Sequence, residues 1–197
     1  VSRVMGLDHR IGSPFLNAGL GWGGSCLPKD TSALQAVADE YDYELRMIEA
    51  AREVNERQLQ VVIEKLQSEL KVLRGQTIGV LGVAFKPDTD DVRDSASIAL
   101  IRILLERGAN IRIHDPIATQ NAVALLGADN VEACDDAYIM AQGLDALLLA
   151  TEWPEYAQLS LEKIASAMAS PVLVDARNFL HPEDVAEAGM RYLGIGR

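Results

Sequence analysis

Cysteine is nearly absent: there are two in 197 residues, Cys26 and Cys134. Two thiols cannot build the bridge framework of a small secreted domain, so a reduced, cytoplasmic protein is expected. Histidine is as scarce. His9, His114 and His181 are scattered without metal-ligand spacing, and no metal site is expected. Basic residues are outnumbered, 18 Lys and Arg against 29 Asp and Glu, for a net charge of −11. So acidic a chain lacks the basic face that counterion release requires, which excludes nucleic-acid partners but leaves room for a local basic pocket around one small phosphate ligand. No apolar run approaches the roughly 18 residues of a membrane helix, and no signal peptide is recognisable. The sequence opens on Val1 with a helix under way, and reads as a fragment whose natural start is missing.

What is present is ordinary globular composition, 49% apolar and 24% charged, which excludes disorder. The chain changes character near Arg74–Gly75, so residues 1–74 and 75–197 are expected to form two parts. The first holds a helix end (Val1 to Met5), a long loop from Gly6 to Lys29, and a helix capped by Asp30-Thr31-Ser32. A loop over twenty residues long inside a compact domain is functional or disordered, and its Phe15, Leu16, Trp22 and Leu27 argue for packed and functional. A longer helix, Glu44 to Leu73, has Leu45, Ile48, Leu59, Val62, Ile63, Leu66 and Leu70 at three- and four-residue steps. It is expected to bridge domains or pair with a partner subunit.

From Gln76 the pattern alternates. Strands are expected at 77–81, 110–114, 146–150, 172–174 and 191–193. Helices are expected at 95–107, 122–126, 133–141 and 161–168, and from Pro182. Near-continuous apolar strands between helices imply an α/β, doubly wound, mainly parallel sheet covered on both faces, with ligands at the carboxyl ends of its strands.

Gly19-Leu20-Gly21-Trp22-Gly23-Gly24-Ser25-Cys26-Leu27-Pro28-Lys29-Asp30 is the strongest local signal. Glycines allow close approach of backbone to a ligand, and a thiol before a helix N-terminus with Lys29 three residues on has the charges that favour a thiolate nucleophile. A glycine-rich turn holding a buried cysteine is the competing reading. In Gly79-Val80-Leu81-Gly82-Val83-Ala84-Phe85-Lys86-Pro87-Asp88-Thr89-Asp90-Asp91-Val92-Arg93 a strand runs into a polar loop, but without Gly-x-Gly-x-x-Gly spacing. Lys86 and Arg93 stand where a phosphate would sit, or decorate a solvated loop. Asp115 ends the next strand, as a ribose-binding or a turn-capping acid, and Arg177 lies at the carboxyl edge of a later one. Trp153 and Cys134 read as core.

The segments Gly23 to Asp30 and Phe85 to Arg93, about sixty residues apart, resemble the UDP-glucose/GDP-mannose dehydrogenase family, and within it the UDP-glucose 6-dehydrogenases. Asp8-His9-Arg10-Ile11-Gly12, His114-Asp115-Pro116, Thr151-Glu152-Trp153 and Asp175-Ala176-Arg177-Asn178 fit the same pattern. The resemblance implies the end of the family's helical middle (1–74) followed by its Rossmann-like UDP-sugar-binding domain (75–197). NAD would be held mainly by an N-terminal domain absent from this sequence, so binding without turnover is expected of it. By the same resemblance Cys26 is the nucleophile that captures an aldehyde and carries a thioester, and Asp30 helps activate water. Substrate contacts fall on Arg10, Phe15, Leu16, Asn17, Ala18, Gly19, Leu20, Gly21, Trp22, Gly23, Phe85, Lys86 and Arg177. Of these, Arg10 would act across a subunit interface. Cys26, Lys29 and Arg93 would lie near the nicotinamide, and the Glu44–Leu73 helix would form a homodimer. The Asp90 to Arg93 and Tyr192 to Arg197 stretches favour UDP-glucose. The alternatives are a GDP-mannose or UDP-N-acetylmannosamine dehydrogenase, or a non-catalytic nucleotide-sugar-binding or dimerisation module.

Overall fold

Strands that run apolar on both faces need cover on both sides, and the computed structural model, which describes residues 1–196, provides it. Arg197, the last residue of the Tyr192 to Arg197 stretch, lies outside the described residues. Strands β1 (Thr77–Leu81), β2 (Asn110–His114), β3 (Val131–Ala133), β4 (Ala146–Leu149), β5 (Val172–Asp175) and β6 (Arg191–Gly194) form one sheet in the order β3-β2-β1-β4-β5-β6. Every neighbouring pair is parallel, with Thr77 opposite Asn110 and Ile78 opposite both Ile111 and Ala146. Between β1 and β4 the winding reverses, which opens a crevice at their carboxyl ends.

The helices are α1 (Ser2–Met5), α2 (Leu27–Glu40), α3 (Arg46–Leu70), α4 (Ala96–Glu106), α5 (Thr119–Leu126), α6 (Ala137–Met140), α7 (Leu161–Ala167) and α8 (Pro182–Glu187). Only the carboxyl half of α3 enters the core: Val62, Ile63 and Leu66 are fully buried, each contributing roughly 1.5–3 kcal/mol of hydrophobic stabilisation. Its amino half is bare, with Met47 87% and Val54 47% exposed. Trp153 and Cys134 are buried, as expected of core residues.

The structure corrects two local readings. Helix α2 starts at Leu27 rather than after Asp30-Thr31-Ser32, because Pro28 suits the first helical turn; Cys26 takes the cap position and Asp30 lies inside the first turn. Residues 133–141 are not one helix: β3 ends at Ala133, and α6 starts at Ala137 behind Asp136, whose side chain accepts from the Tyr138 and Ile139 amides. Pro154–Gln158 forms a 3-10 helix that buries Tyr156.

Asp115, at the end of β2, fixes the turn after β1. Its carboxylate accepts from the amides of Val83 (2.8 Å) and Ala84 (3.1 Å), from those of Ile117 (3.0 Å) and Ala118 (2.8 Å), and from the Trp153 indole (3.2 Å). Gly82 permits that turn. Its φ is +87°, and a Cβ there would stand 2.4 Å from the Cβ of Thr151. Thr151 in turn donates to the Ala84 carbonyl at 2.7 Å.

Candidate functional site

Three strand ends meet the glycine-rich loop at the crevice between β1 and β4. Phe85 and Lys86 come from the turn after β1, Glu152 follows β4, and Arg177 follows β5. Together with Phe15, Asn17, Ala18, Gly19, Gly21, Trp22 and Gly23 they line a cavity of about 840 Å³, the size range of a small-molecule site. Lys86 is exposed and stands 5.4 Å from the Phe85 ring centroid. Ten of the expected substrate contacts are thus brought to one concavity.

Arg177 is half-buried and oriented from below. Its Nε donates to the Ala150 carbonyl at 2.7 Å and stands 3.1 Å from a Glu152 carboxylate oxygen. The single Nε proton is spent on the carbonyl, so the Glu152 contact is electrostatic, and that oxygen accepts no hydrogen bond among the described residues. The two terminal nitrogens of the guanidinium have no hydrogen-bond partner there either. One of them, Nη1, would stand 2.7 Å from a Cβ on Gly19, so a side chain at that position would have to displace the guanidinium. A fixed guanidinium with a free edge is the donor set that planar or phosphate oxygens require.

The remaining expected residues lie outside the cavity walls. Leu20 is 1% exposed and its side chain belongs to the core. Leu16 is half-buried beside the 3-10 turn Pro14–Leu16. Arg10 is exposed and pairs with Asp8 at 2.6 Å. Cys26 is exposed at the head of α2, between the lining residues Gly23 and Leu27, with the Ser25 hydroxyl 3.9 Å from its sulfur. Lys29 and Asp30 pair with each other at 3.3 Å on the same turn. Arg93 grips Asp91 through two bonds of 2.9 and 2.8 Å. That grip holds the Asp91 carboxyl at about 2, and Arg93 is itself held charged, first by Asp91 and to a lesser degree by Asp94 and Cys26.

This sheet's own first turn does not fit a dinucleotide. The Val83 and Ala84 amides, which would face a pyrophosphate, are taken by Asp115. What does fit a cofactor's anionic edge is the rim beside Cys26, where Lys29 and Arg93 are exposed cations. Among the described residues no cluster of His, Cys, Asp or Glu could hold a metal ion, and no helix is long and apolar enough to cross a membrane. A residue that holds the glycine-rich loop was invisible in the sequence. Asn55 of α3 bonds the backbone of Trp22 through both ends of its amide. A mid-helix Asn among charges carries no signal for this.

Comparisons with known proteins match both parts of the chain. The UDP binding domain of the UDP-glucose/GDP-mannose dehydrogenase family is matched over residues 79–182 and that family's central domain over residues 1–57. The UDP-glucose 6-dehydrogenase TuaD of Bacillus subtilis is 43% identical over this whole chain, which covers 43% of it. The UDP-glucose 6-dehydrogenase of Rhizobium meliloti is 42% identical over the whole chain, which covers 45% of it. The structure of a UDP-glucose dehydrogenase from the hyperthermophilic archaeon Pyrobaculum islandicum is matched at a TM-score of 0.83 and 39% identity, over 98% of this chain and 42% of its own. The chain therefore spans less than half the length of the curated relatives it matches. With a six-stranded parallel sheet behind the UDP-binding match and the central-domain match ahead of it in chain order, the chain belongs to the UDP-glucose/GDP-mannose dehydrogenase family.

Proposed function

We propose that this chain is the sugar-nucleotide-binding and thiol-bearing part of an NAD-dependent UDP-glucose 6-dehydrogenase, divided near residue 74 into a helical part and a UDP-sugar domain. The observation that carries the reading is the single cavity in which Lys86, the free guanidinium edge of Arg177 and the Phe85 ring face the glycine loop, with Cys26 at its rim. The two cations suit a diphosphate, the ring suits a base or sugar face, and Gly19, Gly21 and Gly23, at alternate positions, let backbone groups reach sugar hydroxyls.

A nicotinamide cofactor, when bound, would supply the hydride acceptor for two successive oxidations at the sugar C6 carbon. Cys26 keeps that carbon attached in between. Its thiolate adds to the C6 aldehyde, and the same carbon–sulfur bond persists in the thioester. Asp30, within one helical turn, holds the water that cleaves it, releasing the carboxylate and returning the thiol. Lys29 and Arg93 meet the cofactor's edge. Arg10 serves the neighbouring subunit of a homodimer packed on the bare amino half of α3, where Met47 and Val54 are uncovered. For this chain taken alone the reading is binding without turnover.

Calorimetric titration with UDP-glucose, UDP-N-acetylmannosamine and GDP-mannose tests it. Selective binding of UDP-glucose is expected, weakened about tenfold or more in Lys86→Ala by the loss of a charged contact. Equal or tighter binding of GDP-mannose, or none of any sugar nucleotide, would sink it.

A further inference from the structure

The loop that forms one wall of the cavity contains no helix or strand from Asn17 to Gly23, and few bonds hold it. Leu20 anchors it by burial. The Gly24 amide donates to the Asp94 carbonyl at 3.1 Å. Between these points stands Asn55, thirty-three residues further along the chain. The Trp22 amide donates to Asn55 Oδ1 at 2.7 Å, and Asn55 Nδ2 donates to the Trp22 carbonyl at 3.0 Å. A primary carboxamide thus satisfies both polar groups of one residue of an unpaired backbone, as a neighbouring strand would.

The grip has a shape requirement on the loop side. Gly21 has a φ of +101°, and a Cβ there would stand 2.4 Å from Asn55 Oδ1 and 3.2 Å from the Asn55 carbonyl oxygen. On the helix side, Asn55 lies one turn before Leu59 and two before Val62 and Ile63, which are packed into the core. The loop is therefore referenced to the α3 axis, and through it to the sheet that carries Lys86 and Arg177.

We infer that Asn55 is a positioning residue of this site: its side-chain amide holds the Trp22 backbone, and thereby sets the width of the cavity between the glycine loop and the Phe85, Lys86 and Arg177 wall. Asn55 touches no ligand in this role. It acts by ordering the loop before binding, so its loss makes binding bear the cost of that ordering. The effect on a sugar nucleotide rests on the function proposed above; the effect on the loop does not.

Two readouts on this chain separate them. Trp153 is buried, so acrylamide quenching of tryptophan fluorescence reports on Trp22. Asn55→Ala is expected to raise quenching, and Asn55→Asp, which keeps the acceptor for the Trp22 amide but loses the donor, is expected to fall between the two. Calorimetry with UDP-glucose is expected to show a roughly tenfold to hundredfold weaker Kd for Asn55→Ala, from two hydrogen bonds at about 1 kcal/mol each. Gly21→Ala, which crowds the same amide, is expected to weaken binding less than additively in combination with Asn55→Ala. Circular dichroism and the thermal midpoint show which variants are folded, and Asn55→Asp serves if the alanine variant is not. Unchanged quenching in a folded Asn55 variant overturns the inference, as does UDP-glucose affinity within twofold of the parent. A parent chain that binds no UDP-glucose sinks the proposed function instead, and raised quenching in Asn55→Ala would still support the clamp.

Discussion

Asp115 offers the sharpest test of how the site is held. Five N–H groups converge on one buried carboxylate, three on Oδ2 (Val83, Ala84 and the Trp153 indole) and two on Oδ1 (Ile117 and Ala118). Asp115→Asn keeps the shape but replaces one acceptor oxygen with an amide that only donates. In the better orientation the new amide faces Ile117 and Ala118, leaving one part-buried and one buried donor opposed by a third. At roughly 1–3 kcal/mol for each unsatisfied buried group, the loss is about 2–6 kcal/mol. Removing a buried charge works the other way, but five donors already meet this one, so the neutral amide recovers little. Against a typical stability of about 5–15 kcal/mol that is a large fraction, equivalent to a fall of roughly 5–20 °C in Tm for a chain of this length. Urea unfolding followed by circular dichroism measures it. A change under about 1 kcal/mol would show that these contacts do not hold the turn, and would remove the reason given for why the turn after β1 presents no free amides to a dinucleotide.

Two further outcomes follow from the same region. Gly82→Ala should cost about 2–5 kcal/mol, from its positive φ and a backbone collision with Thr151, whereas Gly143→Ala, also at positive φ but facing open space, should cost only the conformational part, about 1–2 kcal/mol; equal losses in denaturant melts would contradict this. His114 is held below its ordinary pKa by burial, partly opposed by Asp115 and nearby acids, and it contacts the Tyr156 hydroxyl, which donates to the His114 carbonyl. An unfolded chain then binds the His114 proton more readily than the folded one, so its contribution is complete above about pH 6.5 and declines as pH falls through that value. Unfolding free energies at pH 7.5 and 5.5 should differ more for the parent than for His114→Gln, and identical differences would refute the assignment.

The sheet was legible because its strands are short continuous apolar runs between helical repeats; Thr77–Leu81 and Asn110–His114 are found at the expected bounds. Strand β3 was not. Val131-Glu132-Ala133 is three residues at a sheet edge with only Val131 buried, so neither run length nor alternation marks it. The start of α2 was misplaced because three good capping residues stand just inside a turn that Pro28 had already opened. In the site, the glycines and cations announced themselves by type and spacing. Glu152 and Asn55 did not, since what they do depends on Arg177 and Trp22 reaching them across the fold.

The strand order has a consequence for assembly. β1 finds β2 after one helix, whereas its other neighbour, β4, is separated by about twice as much chain, so closing the second pairing costs about 0.6 kcal/mol more in loop entropy. β1 to β3 and β4 to β6 each pair through shorter connections, so the β1–β4 seam is the longest-range joint of the sheet. Phe85 and Lys86 arrive on one side of that seam, Glu152 and Arg177 on the other. The cavity is therefore complete only when the two halves are joined, and a ligand seated in it is expected to slow unfolding by stitching the seam shut.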